Sequence, residues 1–191
     1  MNWSDCLSRD DVPLVLNEMG LTGIGVEVGV AEGYHANNIL DKWKGRKLYL
    51  VDLWRYQPVG YYDGANLTDP GHQKNLEICK VLMSKYPDRY EFMQMPSVRA
   101  AKMFQDRYFD FVYLDANHGY EAVMEDLREW YPKVKIGGVL AGHDYVDPPN
   151  KTFGVKPAVD EFFASKPELL QIIATPPGGN QSWLVEKVGD V

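Results

Sequence analysis

Residues 24–52 read IGVEVGVAEGYHANNILDKWKGRKLYLVD, and this stretch decides the fold. It begins with an apolar, β-branched run at 24–28. A turn built of small residues follows, Gly29-Val-Ala31-Glu32-Gly33. An amphipathic stretch at 34–42 then leads to a second apolar run at 47–52. Strand, turn, helix and strand in that order form a βαβ unit, whose two strands lie parallel because a helix carries the chain back between them.

The same alternation continues outward in both directions. Strands are expected at 24–28, 47–52, 90–94, 109–115, 138–141, 171–174 and 182–186. Helices are expected at 10–19, 34–42, 72–84, 98–105, 120–130 and 156–164. The early strands are apolar almost throughout, as strands covered on both faces must be. Only the turn PPGGN at 176–180 separates the last two strands, too short for a crossover, so they pair antiparallel. The expectation is therefore an α/β fold in three layers: a mostly parallel seven-stranded sheet with one antiparallel strand near the C-terminus and helices on both faces. No linker divides the chain, so residues 1–191 read as one domain, with a helical segment at 1–20 and candidate lid loops at 53–70 and 146–153.

Composition agrees with that frame. At 191 residues, with 45% hydrophobic and 25% charged, the chain can bury a core and is unlike a disordered tail. No run approaches the ~20 apolar residues of a membrane span. The first residues are acidic and lack the apolar segment of a secretory signal. Two cysteines, Cys6 and Cys79, make no disulfide framework, and no Cys-x-x-Cys is present for a zinc ribbon. A reducing, cytoplasmic setting is the expectation. A net charge of −7 argues against nucleic acid as partner, since that needs a cationic face, and its plainest meaning is solubility.

In open α/β sheets ligands sit beyond the carboxyl ends of the strands, so the residues after each strand carry the chemistry. After the first strand, Glu27, Gly29, Ala31 and Gly33 form the turn. Their spacing is not the Gly-x-Gly-x-x-Gly of a dinucleotide site, which disfavours a nicotinamide-dependent oxidoreductase. An acid two residues before the first glycine would repel a pyrophosphate and suits a cofactor with positive charge; a packing turn is the plain alternative. Asp52 ends the second strand, placed to accept the hydroxyls of a ribose or to cap a helix. After the third strand, Met95 could lie against an aromatic base, and Ser97 reads as the N-cap of the next helix. The fourth and fifth strands end in LDANHGY and LAGHDY, which gather Asp115, His118, His143 and Asp144. Carboxylates and imidazoles converging on one cleft can hold a divalent cation, move protons, or form a structural cluster. His35 and His72 stand singly on expected helices and read as core or surface residues. The segment 54–70 holds Trp54, Tyr56, Tyr61 and Tyr62, aromatics that either stack on a sugar ring or pack the loop onto the domain.

Taken together, these residues resemble the class I S-adenosylmethionine (SAM) dependent methyltransferases. The first loop is similar to that family's acid-x-Gly-x-Gly-x-Gly motif, with Ala31 where the second glycine is usual, and Asp52 matches the acid on the SAM ribose. The stretch FDFVYLDANHGYEAVMEDLREWYPKVKIGGVLAGHDY, with the later FGVKPAVDEFF, resembles the subgroup related to macrocin O-methyltransferase, which methylates sugar hydroxyls. The likeness covers about residues 20–187. It implies a Rossmann-like fold, SAM held by Glu27, Gly29, Ala31, Gly33, Asp52, Met95, Ser97 and Asp115, and a sugar acceptor that is free, nucleotide-linked or within a glycan. Related O-methyltransferases hold Mg2+ with an acid after strand four and an acidic pair after strand five, here Asp115, His143 and Asp144. His143 departs from that pattern, which favours Mn2+ or another imidazole-tolerant metal over Mg2+, or no metal at all. Without a metal, His118 or His143 would be the base, with Asp115 beside it. The other readings are methylation of a phenolic or other small-molecule hydroxyl, and a SAM-binding protein without turnover. No membrane partner is expected, and association with a second copy of the chain stays open.

Overall fold

A computed structural model describes residues 2–147, 153–173 and 179–189. Seven strands form one sheet: β1 (Ile24–Val28), β2 (Lys47–Asp52), β3 (Tyr90–Gln94), β4 (Phe109–Leu114), β5 (Val134–Gly142), β6 (Leu170–Ile173) and β7 (Ser182–Glu186). Six α-helices accompany them among the described residues: α1 (Val12–Glu18), α2 (Tyr34–Lys42), α3 (Asp69–Met83), α4 (Ser97–Ala101), α5 (Tyr120–Trp130) and α6 (Val155–Phe162). Short 3-10 turns at Trp3–Asp5 and Arg9–Asp11 precede α1.

The strands lie in the order β3-β2-β1-β4-β5-β7-β6. β1 to β5 pair parallel. β7 runs antiparallel between β5 and β6, the reversed strand that the sequence implied. This is the Rossmann-like three-layer sandwich. Most of the turn at 176–180, and the end of the strand expected at 171–174, lie outside the described residues.

Strand periodicity sorts the side chains into two cores. Val26, Val28, Val112 and Leu114 face one layer, where they meet Leu127 and Trp130 of α5 and Val159 of α6. Leu48, Leu50, Phe111 and Tyr113 face the other, against Leu16 of α1, Ile39 of α2 and Cys79 of α3. The side-chain period of two in a strand produces this split, and the burial of every residue of β1 and β4 makes them the centre of the sheet.

Three element boundaries differ from expectation by three residues or more. α3 begins at Asp69, not 72, because Pro70 falls in its first turn, where a missing N–H costs nothing. β5 begins at Val134, not 138. While β4 advances from Phe109 to Phe111, β5 advances from Val134 to Val139, a bulge that exposes Ile136 and hides the strand pattern. α4 ends at Ala101, four residues short of the expected 105.

The chain runs from β1 outward to β2 and β3, then returns to place β4 on the other side of β1. The connections after β1 and β4 therefore diverge and open a cleft between them. One glycine sets how closely the two loops approach. Gly29 has φ +89°, and a Cβ there would stand 2.0 Å from the Asp115 carbonyl oxygen. Gly29→Ala combines left-handed strain with a backbone clash and should cost on the order of 2–4 kcal/mol, read as a lower denaturant midpoint. An unchanged midpoint would show that the two loops are free to separate.

Candidate functional site at the strand tips

The cleft beyond β1 and β4 has a volume of about 520 Å³. The β1–α2 turn forms its floor. Gly33 opens α2 with φ +80°, and a Cβ there would strike Cys79 Sγ at 2.5 Å, so the turn packs directly on α3. Ala31 also adopts a left-handed conformation, φ 48°, which is strained for a residue with a Cβ and explains why glycine suits this position.

Asp52 holds the turn in shape. Its Oδ2 accepts from the backbone N–H of Val30 and of Ala31, both at 2.9 Å, and its Oδ1 accepts from Trp54 N–H at 2.7 Å. A carboxylate offers about four acceptor directions, so these bonds leave about one for a ribose hydroxyl. Glu27 is buried under the same turn. Its Oε1 meets His35 Nδ1 at 3.0 Å, while Oε2 has no partner. Burial pushes the Glu27 carboxyl up against the pull of His35. Glu27 thus keeps one carboxylate oxygen buried beneath the turn without a partner.

At the far end Met95 and Ser97 line the cleft. Ser97 is not the N-cap the sequence suggested; Pro96 holds that position, and Ser97 is the first residue of α4. Its hydroxyl instead accepts from Trp130 Nε1 at 2.8 Å and donates to Asp126 Oδ1, tying α4 to α5. His35 and His72 are buried and line the cleft as well, and His72 Nε2 lacks a partner.

The strand-four and strand-five tips converge as the motifs implied, with one exchange of roles. Ligand-capable atoms of Asp115, His118 and Asp144 all lie within 4.8 Å of one another. His118 Nδ1 is 2.7 Å from Asp63 Oδ2, and its Nε2 is 2.9 Å from Asp144 Oδ2 and 3.7 Å from Asp115 Oδ1. Nε2 nonetheless makes no hydrogen bond, because the oxygens lie off its N–H direction. His143 stands beside this group, with Nδ1 at 3.3 Å from Asp144 Oδ1 and 3.8 Å from Asp115 Oδ1. Burial opposes the charge on Asp115, yet His118, His143 and Arg9 hold its carboxyl below the usual range. Asp144 is likewise lowered against burial, chiefly by His118 and His143. Burial disfavours a charged His118, but Asp115 and Asp144 outweigh it and raise its pKa to about 10.

Two participants were not visible in sequence. Arg9, in the N-terminal segment, places NH1 2.8 Å from Asp115 Oδ2. Asp63 comes from the 53–68 connection and orients His118. Of the aromatics there, Trp54 is buried and donates to the Ala31 carbonyl, packing the loop. Tyr61 lines the cleft and donates to the Ala116 carbonyl at 3.3 Å, and Tyr62 is exposed. The second candidate lid is described only at its ends, where Phe153 stacks on His118 at 4.8 Å.

Asp126 gives this wall a pH dependence. Burial raises its carboxyl to about 7, against the pull of Ser97. An acid with a raised folded pKa favours folding only while protonated. Stability should therefore fall as pH rises from about 4 to 7, then level off. Asp126→Asn mimics the protonated acid, so it should be more stable than wild type at pH 8 by on the order of 2–4 kcal/mol, the gap closing toward pH 4. Thermal unfolding across that range checks this, and a gap independent of pH would contradict it.

No described helix is long and apolar enough to cross a membrane. No curated protein matches the chain in sequence. Among solved structures, an O-methyltransferase from Bacillus cereus in complex with SAH superposes with a TM-score of 0.64 at 14% identity, over 93% of this chain and 80% of that one. The O-methyltransferase NovP gives 0.67 at 18% identity, over 94% and 78%. An rRNA methylase from Streptococcus thermophilus gives 0.60 at 13% identity, over 92% and 95%. At such identities these likenesses speak to the fold alone. The methyltransferase-domain family profile matches residues 26–145, from β1 through the tip of β5. With the fold and the strand-tip cleft, that match establishes that the chain belongs to the methyltransferase-domain family and is a SAM-dependent methyltransferase.

Proposed function

We propose that the chain transfers the SAM methyl group to a hydroxyl of a sugar acceptor, with a divalent cation held at the strand tips. The observation that carries this reading is the Asp115–His118–Asp144 group at the edge of the cleft. SAM already carries an activated methyl, so the protein's work is to align acceptor oxygen, methyl carbon and sulfur and to make the oxygen nucleophilic. The β1–α2 turn and Asp52 hold the cofactor side, with the Glu27 carboxylate buried beneath the turn against His35. The hydroxyl proton must leave as the C–O bond forms and the C–S bond breaks.

Two means of removing that proton compete. A metal-free base would have to be His118 or His143. With a pKa near 10, His118 keeps its proton at neutral pH and is a poor base. That charge depends on the facing carboxylates, which a cation would neutralise. The donors fit a cation: two carboxylates and an imidazole nitrogen without a hydrogen bond, on a ring whose other nitrogen is fixed by Asp63. When bound, the cation lowers the hydroxyl pKa and fixes its position. One nitrogen among the ligands suits Mn2+ better than Mg2+. His143 is close enough to Asp115 and Asp144 to orient them or to join the set.

The sugar rests on the DANHGYE and GGVLAGHDY elements and on Tyr61 beside the cluster. A phenolic acceptor is the second reading, favoured by the same acid and imidazole chemistry. Mn2+ titration followed by electron paramagnetic resonance should show one site per chain, weakened at least tenfold by Asp144→Ala or His118→Gln. Turnover of labelled SAM on a sugar panel should fall with chelator and return with Mn2+. Full activity in excess chelator would sink the cation, and turnover of a catechol-like phenol alone would replace the sugar.

A further inference from the structure

A second cleft, of about 460 Å³, lies on the other side of Arg9. Ser8, Arg9, Tyr34, His35, Asn38 and His143 are among its walls, and Arg9, Tyr34 and His35 also border the cofactor cleft. One end of it therefore meets the acid–imidazole cluster, since His143 Nδ1 is 3.3 Å from Asp144 Oδ1. The other end is formed by the N-terminal segment. A molecule seated there can present a hydroxyl to the cluster while its remainder contacts Arg9.

Arg9 is the telling residue. It is two-thirds buried, with a side-chain exposure of 31%, and NH1 makes the bond to Asp115 Oδ2. Tyr113 also engages the guanidinium, but that group's five N–H donors still leave some for a second anion without breaking the Asp115 bond. Lys42 Nζ reaches the Asp10 carbonyl at 2.8 Å and adds a positive charge at the same rim, offsetting the exposed Asp10 carboxylate. His35 adds an independent observation: it is nine-tenths buried, and its Nε2 has no partner. An unpaired buried imidazole nitrogen calls for a polar partner, and His35 borders both clefts.

We infer that the second cleft is the acceptor subsite, and that Arg9 selects acceptors carrying an oxyanion, phosphate or carboxylate, beside the methylated hydroxyl. The inference rests on the chain being a hydroxyl methyltransferase and adds the class of acceptor. It also moves acceptor recognition from the aromatic loop to the N-terminal segment, which folds over the cleft through Arg9. A bidentate guanidinium–oxyanion contact supplies both charge and orientation.

Ligand-observed NMR with SAH and Mg2+ present tests it on three probes: glucose 1-phosphate, glucuronate and methyl glucoside. Wild type should bind at least one anionic probe roughly tenfold more tightly than the neutral one. Arg9→Gln should abolish that preference and Arg9→Lys should restore part of it. Whichever anion binds better tells phosphate from carboxylate. Equal binding of all three probes, no binding of either anion at tens of millimolar, or a preference that survives in Arg9→Gln would overturn the inference. Calorimetry of SAH on the same samples separates the failures, because loss of SAH binding by wild type would strike at the methyltransferase reading itself.

Discussion

One carboxylate organises the cleft beyond β1 and β4. Asp52, at the tip of β2, accepts three backbone N–H groups, two from the β1–α2 turn and one from the start of the 53–68 connection. These amides would otherwise face the cleft unpaired, each at a cost of about 1–3 kcal/mol. Their capture holds Ala31 in a left-handed conformation and lets Gly29 press against the Asp115 carbonyl. The floor of that cleft and the position of the strand-four tip thus follow from a single side chain.

The tips of β4 and β5 depend on a balance of charge. Asp63, Asp115 and Asp144 crowd around His118, with His143 and Arg9 as the other cationic or titratable partners. Three carboxylates so close together are unstable without compensation. In the free protein protonated His118 and Arg9 supply it; in the proposed working state a cation would. Arg9 ties this balance to the N-terminal segment, so the segment that borders the second cleft is anchored on the acid–imidazole cluster.

Much of the fold was legible because periodicity is a local property. The bounds of β1, β2, β3 and β7 and of α2 and α5 follow directly from apolar runs and small-residue turns. β5 was read short because its bulge interrupts the pattern at Ile136 and Gly137. Asp115, His118, His143 and Asp144 were legible as a group because each follows a strand in a parallel sheet. That His118 lies nearer to both carboxylates than His143 was not, since that depends on Asp63, 55 residues away, taking hold of the His118 ring. Arg9 escaped for the same reason, being 106 residues from its partner. Ser97 looked like a cap because caps are the commonest use of serine after a strand, and only the packing of α5 reveals its bonds to Trp130 and Asp126.

If Asp52 holds the cofactor ribose as well as the turn, removing its carboxylate weakens both cofactor binding and the fold. Calorimetric titration of SAH into Asp52→Ala tests it most directly, with thermal unfolding run alongside. Affinity should weaken by about 1.5–3 kcal/mol, together with a less stable fold. Unchanged SAH affinity would contradict it and remove Asp52 from the site.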